Sequence, residues 1–203
     1  QYASMAVANG LATTVCCVFA DSPLKEYQRS GAVSYARSGP PNAMASLEPI
    51  YGIIGALPRY AMAAQRHMDL FGTTQEQLAA VAISQRQWAA MNPRASKREP
   101  LDIDGYNASP WVVEPFHVLD CCLVSNGAVA VIVTSAERAR DLKQPPVYIR
   151  GFAQGHNHDT GQADHDPYIH TAGALSAPRA LAMAGAKVSE VSQCQIYDCY
   201  TYP

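Results

Sequence analysis

HVLDCCLVSNGAVAVIVTSAERARDL, residues 117–142, changes its hydrophobic period part-way along. Ala128 to Val133 is a continuous apolar run, the pattern of a strand covered on both faces. Asn126-Gly127 ahead of it fits a tight turn. Thr134 and Glu137 have the spacing of a capping box, which would open a short basic helix running to Leu142. A strand that runs straight into a helix predicts an α/β layer.

Towards the C-terminus the same alternation continues. Val147 to Phe152 reads as a strand and Ala153 to Thr171 as a loop rich in Gly, His and Asp. Ser176 has the position of a helix cap, with Pro178 in the first turn and Gly185 at the end. Cys194 to Cys199 reads as the next strand. Strand, helix, strand is a βαβ unit and favours a parallel sheet with a right-handed crossover.

Towards the N-terminus, Pro100 to Pro115 is loop-like, and two helices precede it. The first runs from Pro58 to Phe71 and stops at Gly72. The second is opened by Thr73 with Glu76 as a capping box, carries Leu78, Val81, Ala82 and Trp88 at near-helical spacing, and stops at Asn92-Pro93. Asp21 to Pro49 mixes Ser, Pro, Gly and scattered charge, an excursion with little regular structure. Tyr2 to Asn9 suits a buried helix ended by Gly10, with Val15 to Val18 as a short strand behind it. No internal repeat of solenoid period is present.

Composition bounds the function. Hydrophobic residues make up 48% and charged residues 16% of the 203, a packed globular profile and not a disordered one. A net charge of −2 supplies no basic field for nucleic acid or anionic lipid, so a small molecule or a protein is the expected partner. The six cysteines fall as Cys16-Cys17, Cys121-Cys122, Cys194 and Cys199, with no C-x-x-C and no zinc spacing. They read as reduced, buried, small apolar side chains, which fits the cytoplasm. No run of about 18 apolar residues and no basic segment followed by an apolar one is seen, so neither a membrane span nor a signal peptide is expected.

Three stretches in order carry a family signal: GTTQEQLAAVA with AAMNPRA between His67 and Ala95, residues 117–142, and YDCYTYP from Tyr197 to Pro203. Together they resemble the sterol-carrier-protein-type thiolases, whose Gly-Thr-Thr turn, Asn-Pro-x-Ala stop and His-Asp-Cys-Phe segment they match in sequence and spacing. The resemblance covers nearly the whole chain but only about the middle half of a family member, so the chain reads as truncated at both ends. It implies an α/β, layered αβαβα thiolase-like fold, incomplete here, with an inserted, mainly helical loop domain. Residues 1–20 and 116–143 would belong to the N-terminal half, 21–115 to the loop domain that covers coenzyme A, and 144–203 to the C-terminal half. A nucleophilic cysteine is implied ahead of the first helix, and a second cysteine and a histidine beyond Pro203. Cys16 and Cys17 lie after the implied nucleophile and read as packing residues.

Two departures from the family are informative. Tyr197 stands where the thiolases have His, and a phenol titrates near 10 against about 6.5 for imidazole. It can donate a hydrogen bond to a carbonyl oxygen or, if activated, take a hydroxyl proton. That suits retro-aldol cleavage of a β-hydroxyacyl thioester better than thiolysis, and the lipid-transfer-protein-like aldolases that clip steroid side chains are similar in carrying tyrosine there. The resemblance therefore implies Tyr197 and Asp198 as catalytic residues, coenzyme A as the thioester of the substrate, a homodimer, and a possible OB-fold, zinc-ribbon acyl-CoA-binding partner. An ordinary 3-ketoacyl-CoA thiolase or acyltransferase, and a non-catalytic thiolase-like subunit, are the alternatives. The second departure is Asn126, where many relatives have Asp.

The remaining candidates are histidines. His156, His158, His165 and His170 with Asp159, Asp164 and Asp166 crowd one loop, and such a cluster could bind a divalent metal. No two sit at a fixed helical spacing, so a solvated loop over the acyl-CoA pocket is expected and no metal. His67 and His117 read as structural.

Overall fold

The computed structural model describes residues 1–27, 50–53, 55–156 and 170–202. In chain order its regular elements begin with α1 (Tyr2–Ala8), β1 (Thr14–Asp21), α2 (Leu57–Phe71), α3 (Gln75–Met91) and α4 (Ile103–Asn107). They continue with β2 (Trp111–Val113), β3 (Phe116–His117), a 3-10 turn (Val118–Asp120), β4 (Gly127–Thr134), α5 (Ala136–Arg140), α6 (Gly173–Ala184) and a second 3-10 turn (Val188–Glu190). The chain divides into two compact units, Gln1–Lys25 with Ser125–Cys194, and Glu26–Val124 with Gln195–Pro203.

In the first unit β1 and β4 form an antiparallel ribbon, from Thr14 opposite Thr134 to Asp21 opposite Gly127. Helix α1 packs on both strands. The Asn126 side chain closes one end: Oδ1 accepts from Leu24 N at 2.8 Å and Nδ2 donates to Leu24 O at 3.2 Å. At the other end Thr134 Oγ1 donates to Thr13 O at 2.9 Å.

The parallel βαβ sheet expected from the sequence is not found among the described residues. Both described sheets are antiparallel pairs, and residues 147–152 and 194–198 have no regular secondary structure and no strand partners among the described residues. What holds the first of these segments is helix α6 and not a sheet. Arg150 Nη2 donates to Ala184 O at 2.8 Å. A Cβ on Gly151 would overlap the Ala180 carbonyl oxygen, and one on Gly155 would lie 2.6 Å from Ala172 O, so both positions need the bare backbone. Helix α6 itself starts three residues before the expected Ser176 cap. Ser176 lies inside it, with Oγ donating to Ala172 O at 3.3 Å.

Burial differs from the sequence pattern as well. The apolar run of β4 stays largely open, with Val131 54% and Ile132 57% exposed, because the two-stranded ribbon has no further strand beside it among the described residues. The same lack of cover leaves Cys16 and Cys17 exposed, along with Cys122 and Cys194, against the expectation of buried thiols; all six cysteines are free.

The second unit is built on the α2–α3 hairpin. Leu57–Phe71 ends at Gly72, whose φ of 69° is a left-handed conformation that favours glycine. The capping box of α3 belongs to Thr74 and Gln77 and not to Thr73 and Glu76: Thr74 N donates to Gln77 Oε1 at 2.9 Å. Thr73 is otherwise engaged, its hydroxyl 2.9 Å from His67 Nδ1. The stretch 100–115, expected to be irregular, contains α4, capped by Asp102 through Gly105 N at 2.8 Å, and β2 paired with β3. Ala61, Ala64, Leu78 and Phe116 form one core cluster, and Ala79, Ala82 and Tyr106 a second. Trp88, expected on the apolar face of its helix, is 70% exposed. Among the described residues no helix is long and apolar enough to cross a membrane.

Candidate active site

The segment that carries Tyr197 and Asp198 is fastened to the second unit at four successive residues. Asp198 Oδ2 accepts from Gln85 Nε2 of α3 at 2.8 Å. Cys122 N donates to Cys199 O at 2.8 Å and Thr201 N to Asp120 O at 3.0 Å, which makes Cys121 and Tyr200 an antiparallel pair. These bonds flank that pair, so its side chains stand on the narrow, non-hydrogen-bonded rung. The Tyr200 ring stacks on Phe116, centroids 5.4 Å apart at 10°, and meets Tyr60 of α2 at 4.9 Å.

Beneath this ladder lies a buried carboxylate. Asp120 is 2% exposed and ends the 3-10 turn that follows β3. It accepts from Tyr106 OH at 2.7 Å, His117 N at 2.6 Å and Thr201 Oγ1 at 2.6 Å. Gln75 Nε2 in turn donates to the Tyr106 oxygen at 2.6 Å and to Pro115 O at 2.9 Å. Burial, then the bond to Asp120, pushes the Tyr106 phenol well above its ordinary value, so it holds its proton and donates it. Such a fully partnered network tolerates a charge that would be costly alone.

Protons are also held at the surface of the ladder. Burial raises Cys121 to about 11 and Tyr200 to about 12, and it raises Cys122 as well. The bond to the Cys199 thiol, ahead of burial, raises the phenol of Tyr60. Tyr197 is raised first by the field of Cys199, then by slight burial and by Cys122, because a second negative charge beside a thiolate is disfavoured. At neutral pH the site therefore presents neutral phenols as hydrogen-bond donors.

Tyr197 itself is 81% exposed. A cleft of about 430 Å³ lies beside its segment, walled by Gln85, Arg86, Leu119, Cys121, Cys122 and Leu123. Tyr197 stands outside that wall, but its neighbour Asp198 is bonded to Gln85, which is part of it. Of the two candidate residues, only Asp198 is thus tied to the cleft, through Gln85.

The histidines fall as follows. His158, His165, Asp159, Asp164 and Asp166 lie outside the described residues, as does residue range 28–49 of the excursion. His156 is 2.8 Å from the Gln154 amide nitrogen, and among the described residues no group of three His, Cys, Asp or Glu side chains could hold a metal ion. His117 is buried, its Nδ1 2.6 Å from Ser109 O and its ring 3.6 Å from that of Trp111. Sequence reasoning missed Asp120, Thr201, Gln85 and Tyr60. An aspartate inside the apolar stretch His117 to Val124 was the available signal, since a carboxylate among apolar residues is buried only where donors meet it.

No family model matches the chain. It is 34% identical to the steroid side-chain-cleaving aldolase of Thermomonospora curvata, over 99% of this chain and 53% of that protein. It is 39% identical to the 17-hydroxy-3-oxo-4-pregnene-20-carboxyl-CoA lyase of Mycobacterium tuberculosis, over 76% of this chain and 41% of that protein. A solved structure, an Ltp2-ChsH2(DUF35) aldolase, superposes with a TM-score of 0.80 at 32% identity, over 97% of this chain and 51% of that one. The chain belongs to the thiolase superfamily, in its branch of sterol-carrier-protein-type thiolases and steroid side-chain aldolases. Its fold is accordingly the mixed α/β fold of that superfamily. The thiolase-superfamily chain described here spans about half the length of the curated relatives it matches.

Proposed function

We propose that the protein is an acyl-CoA carbon–carbon lyase that cleaves a β-hydroxyacyl-CoA by a retro-aldol reaction in the breakdown of a steroid or lipid side chain. The observation that carries this reading is the Tyr197 phenol, raised above its ordinary value and open to solvent, next to an Asp198 bonded to the cleft residue Gln85, in a chain whose relatives are named as an aldolase and a lyase. A proton-holding phenol serves as a donor to the thioester carbonyl oxygen. There it stabilises the charge that develops as the bond breaks.

The steps balance as follows. The β-hydroxyl gives up its proton, its O–H electrons form the new C=O, and the Cα–Cβ bond breaks with its electrons passing to the thioester as an enolate. The base that took the hydroxyl proton returns it to Cα, which releases a shorter acyl-CoA beside a ketone or aldehyde. Tyr197 donates to the enolate oxygen, and Asp198, held through Gln85, is the carboxylate proposed to take the hydroxyl proton.

The same reading takes coenzyme A as part of the substrate, assigns residues 1–20 with 116–143 and 144–203 to the two thiolase halves, and gives 21–115 to the loop domain. It has the protein work as a cytoplasmic homodimer with an OB-fold, zinc-ribbon subunit. The free state of all six cysteines supports a reducing compartment, and the DUF35 component of the solved aldolase supports such a subunit.

The test uses the full-length protein and a β-hydroxyacyl-CoA bearing a branched side chain. Tyr197→Phe is expected to lower kcat about 100-fold, the scale of a lost transition-state donor, with free coenzyme A giving no acceleration. Wild-type cleavage by the Phe variant sinks the assignment.

A further inference from the structure

Asp120 has no part in the chemistry just described, yet among the described residues of the second unit it is the most heavily hydrogen-bonded buried side chain. Three donors converge on its carboxylate from three places in the chain: Tyr106 of α4, the His117 backbone of β3, and Thr201 four residues after Tyr197. A buried charge with three donors has one geometry of low energy, because losing any donor leaves an unpaired lone pair in a dry site. The Thr201 hydroxyl is therefore held at a fixed point, and the same residue donates its backbone N–H to Asp120 O at 3.0 Å. Two residues earlier, Cys199 O accepts from Cys122 N, which lies two residues after Asp120. The ladder rung between them is filled by Tyr200 against Phe116 and Tyr60. Between Cys199 and Tyr197 stands only Asp198, itself held by Gln85. A displacement of Thr201 is thus passed along three residues of constrained backbone to the phenol.

We infer that Asp120, acting through the Thr201 hydroxyl, is a positioning residue that fixes the place of the Tyr197 phenol. The inference rests on the assignment of Tyr197 above and goes beyond it by naming the device that sets the reach of that phenol. A positional error of about 1 Å at a reacting group can cost on the order of 100-fold in rate, so the device acts on turnover more than on substrate affinity.

The test changes Thr201 and leaves the buried carboxylate intact. In the full-length protein Thr201→Val keeps the shape and removes the hydroxyl, while Thr201→Ser restores it. With β-hydroxyacyl-CoA, Thr201→Val is expected to lower kcat at least about tenfold with KM within about threefold, and Thr201→Ser to recover most of the loss, as misplacement and not lost binding requires. A second readout needs no activity: 3-fluorotyrosine placed at position 197 and followed by fluorine NMR. Wild type and Thr201→Ser should share one resonance position, and Thr201→Val should move or broaden it. An unmoved resonance in Thr201→Val overturns the positioning role whatever the enzyme catalyses. A moved resonance in a protein without lyase activity keeps the positioning role and refutes the reaction assigned to it.

Discussion

Asn126 shows how a single side chain closes an element. Its amide both accepts from and donates to the Leu24 backbone, at 2.8 and 3.2 Å, which an aspartate could only half reproduce. The residue was noticeable in the sequence only as a departure from a family that often has Asp. The second hydrogen bond, across 102 residues, supplies its structural purpose. Asn126→Asp is expected to lose the donated bond and set a carboxylate oxygen against the Leu24 carbonyl, at a cost of about 1 kcal/mol. Urea unfolding of the two proteins would measure it, and equal midpoints would show that the amide clamp contributes nothing. Tyr197 was legible for a different reason: an unusual residue type in a motif needs no fold to be noticed. Asp120 was not, because an aspartate in a sequence carries no record of the tyrosine, threonine and backbone amide that will surround it.

At the scale of elements, period and stop signals located the helices of the second unit well, and both helix caps fell one residue later than expected, the second as a lone Ser135 cap and not a capping box. The cause is the same in each. Thr73 is occupied by His67, so Thr74 becomes the cap of α3. Thr134 is still the last residue of the ribbon, bonded to Thr13 O, so Ser135 caps α5 and accepts from Arg138 N. Adjacent hydroxyl residues offer two registers, and the choice is made by what the first one meets outside its own helix. Thr74→Ala is therefore expected to cost about 1 kcal/mol of stability. Denaturant unfolding of the variant checks this, and an unchanged midpoint would return the cap to Thr73.

Across the whole molecule, the raised thiols and phenols couple stability to alkaline pH. Cys121 stands at about 11 in the folded chain against an ordinary 9.0, and Tyr200 at about 12 against 10.0, both chiefly through burial. A raised acid keeps its full stabilising effect below its unfolded value and loses it as pH climbs to the folded one. Melting temperature should therefore hold steady up to about pH 9 and fall between about 9 and 12. A Cys121→Ala, Tyr200→Phe double variant should show a shallower fall, and an equal slope would refute the origin assigned here. The same scale separates what each level of description could decide. The sequence by itself determined every helix but α4, the apolar strand, the family motifs and the tyrosine that departs from them, because capping, period and residue type are written within a few neighbouring positions. Only the tertiary structure decided that β1 pairs with β4 across 120 residues, that residues 147–152 and 194–198 take no strand partner among the described residues, and that Asp120 meets Thr201 across 81. Pairing and burial join residues that no local pattern links, so they emerge only once the chain has closed on itself.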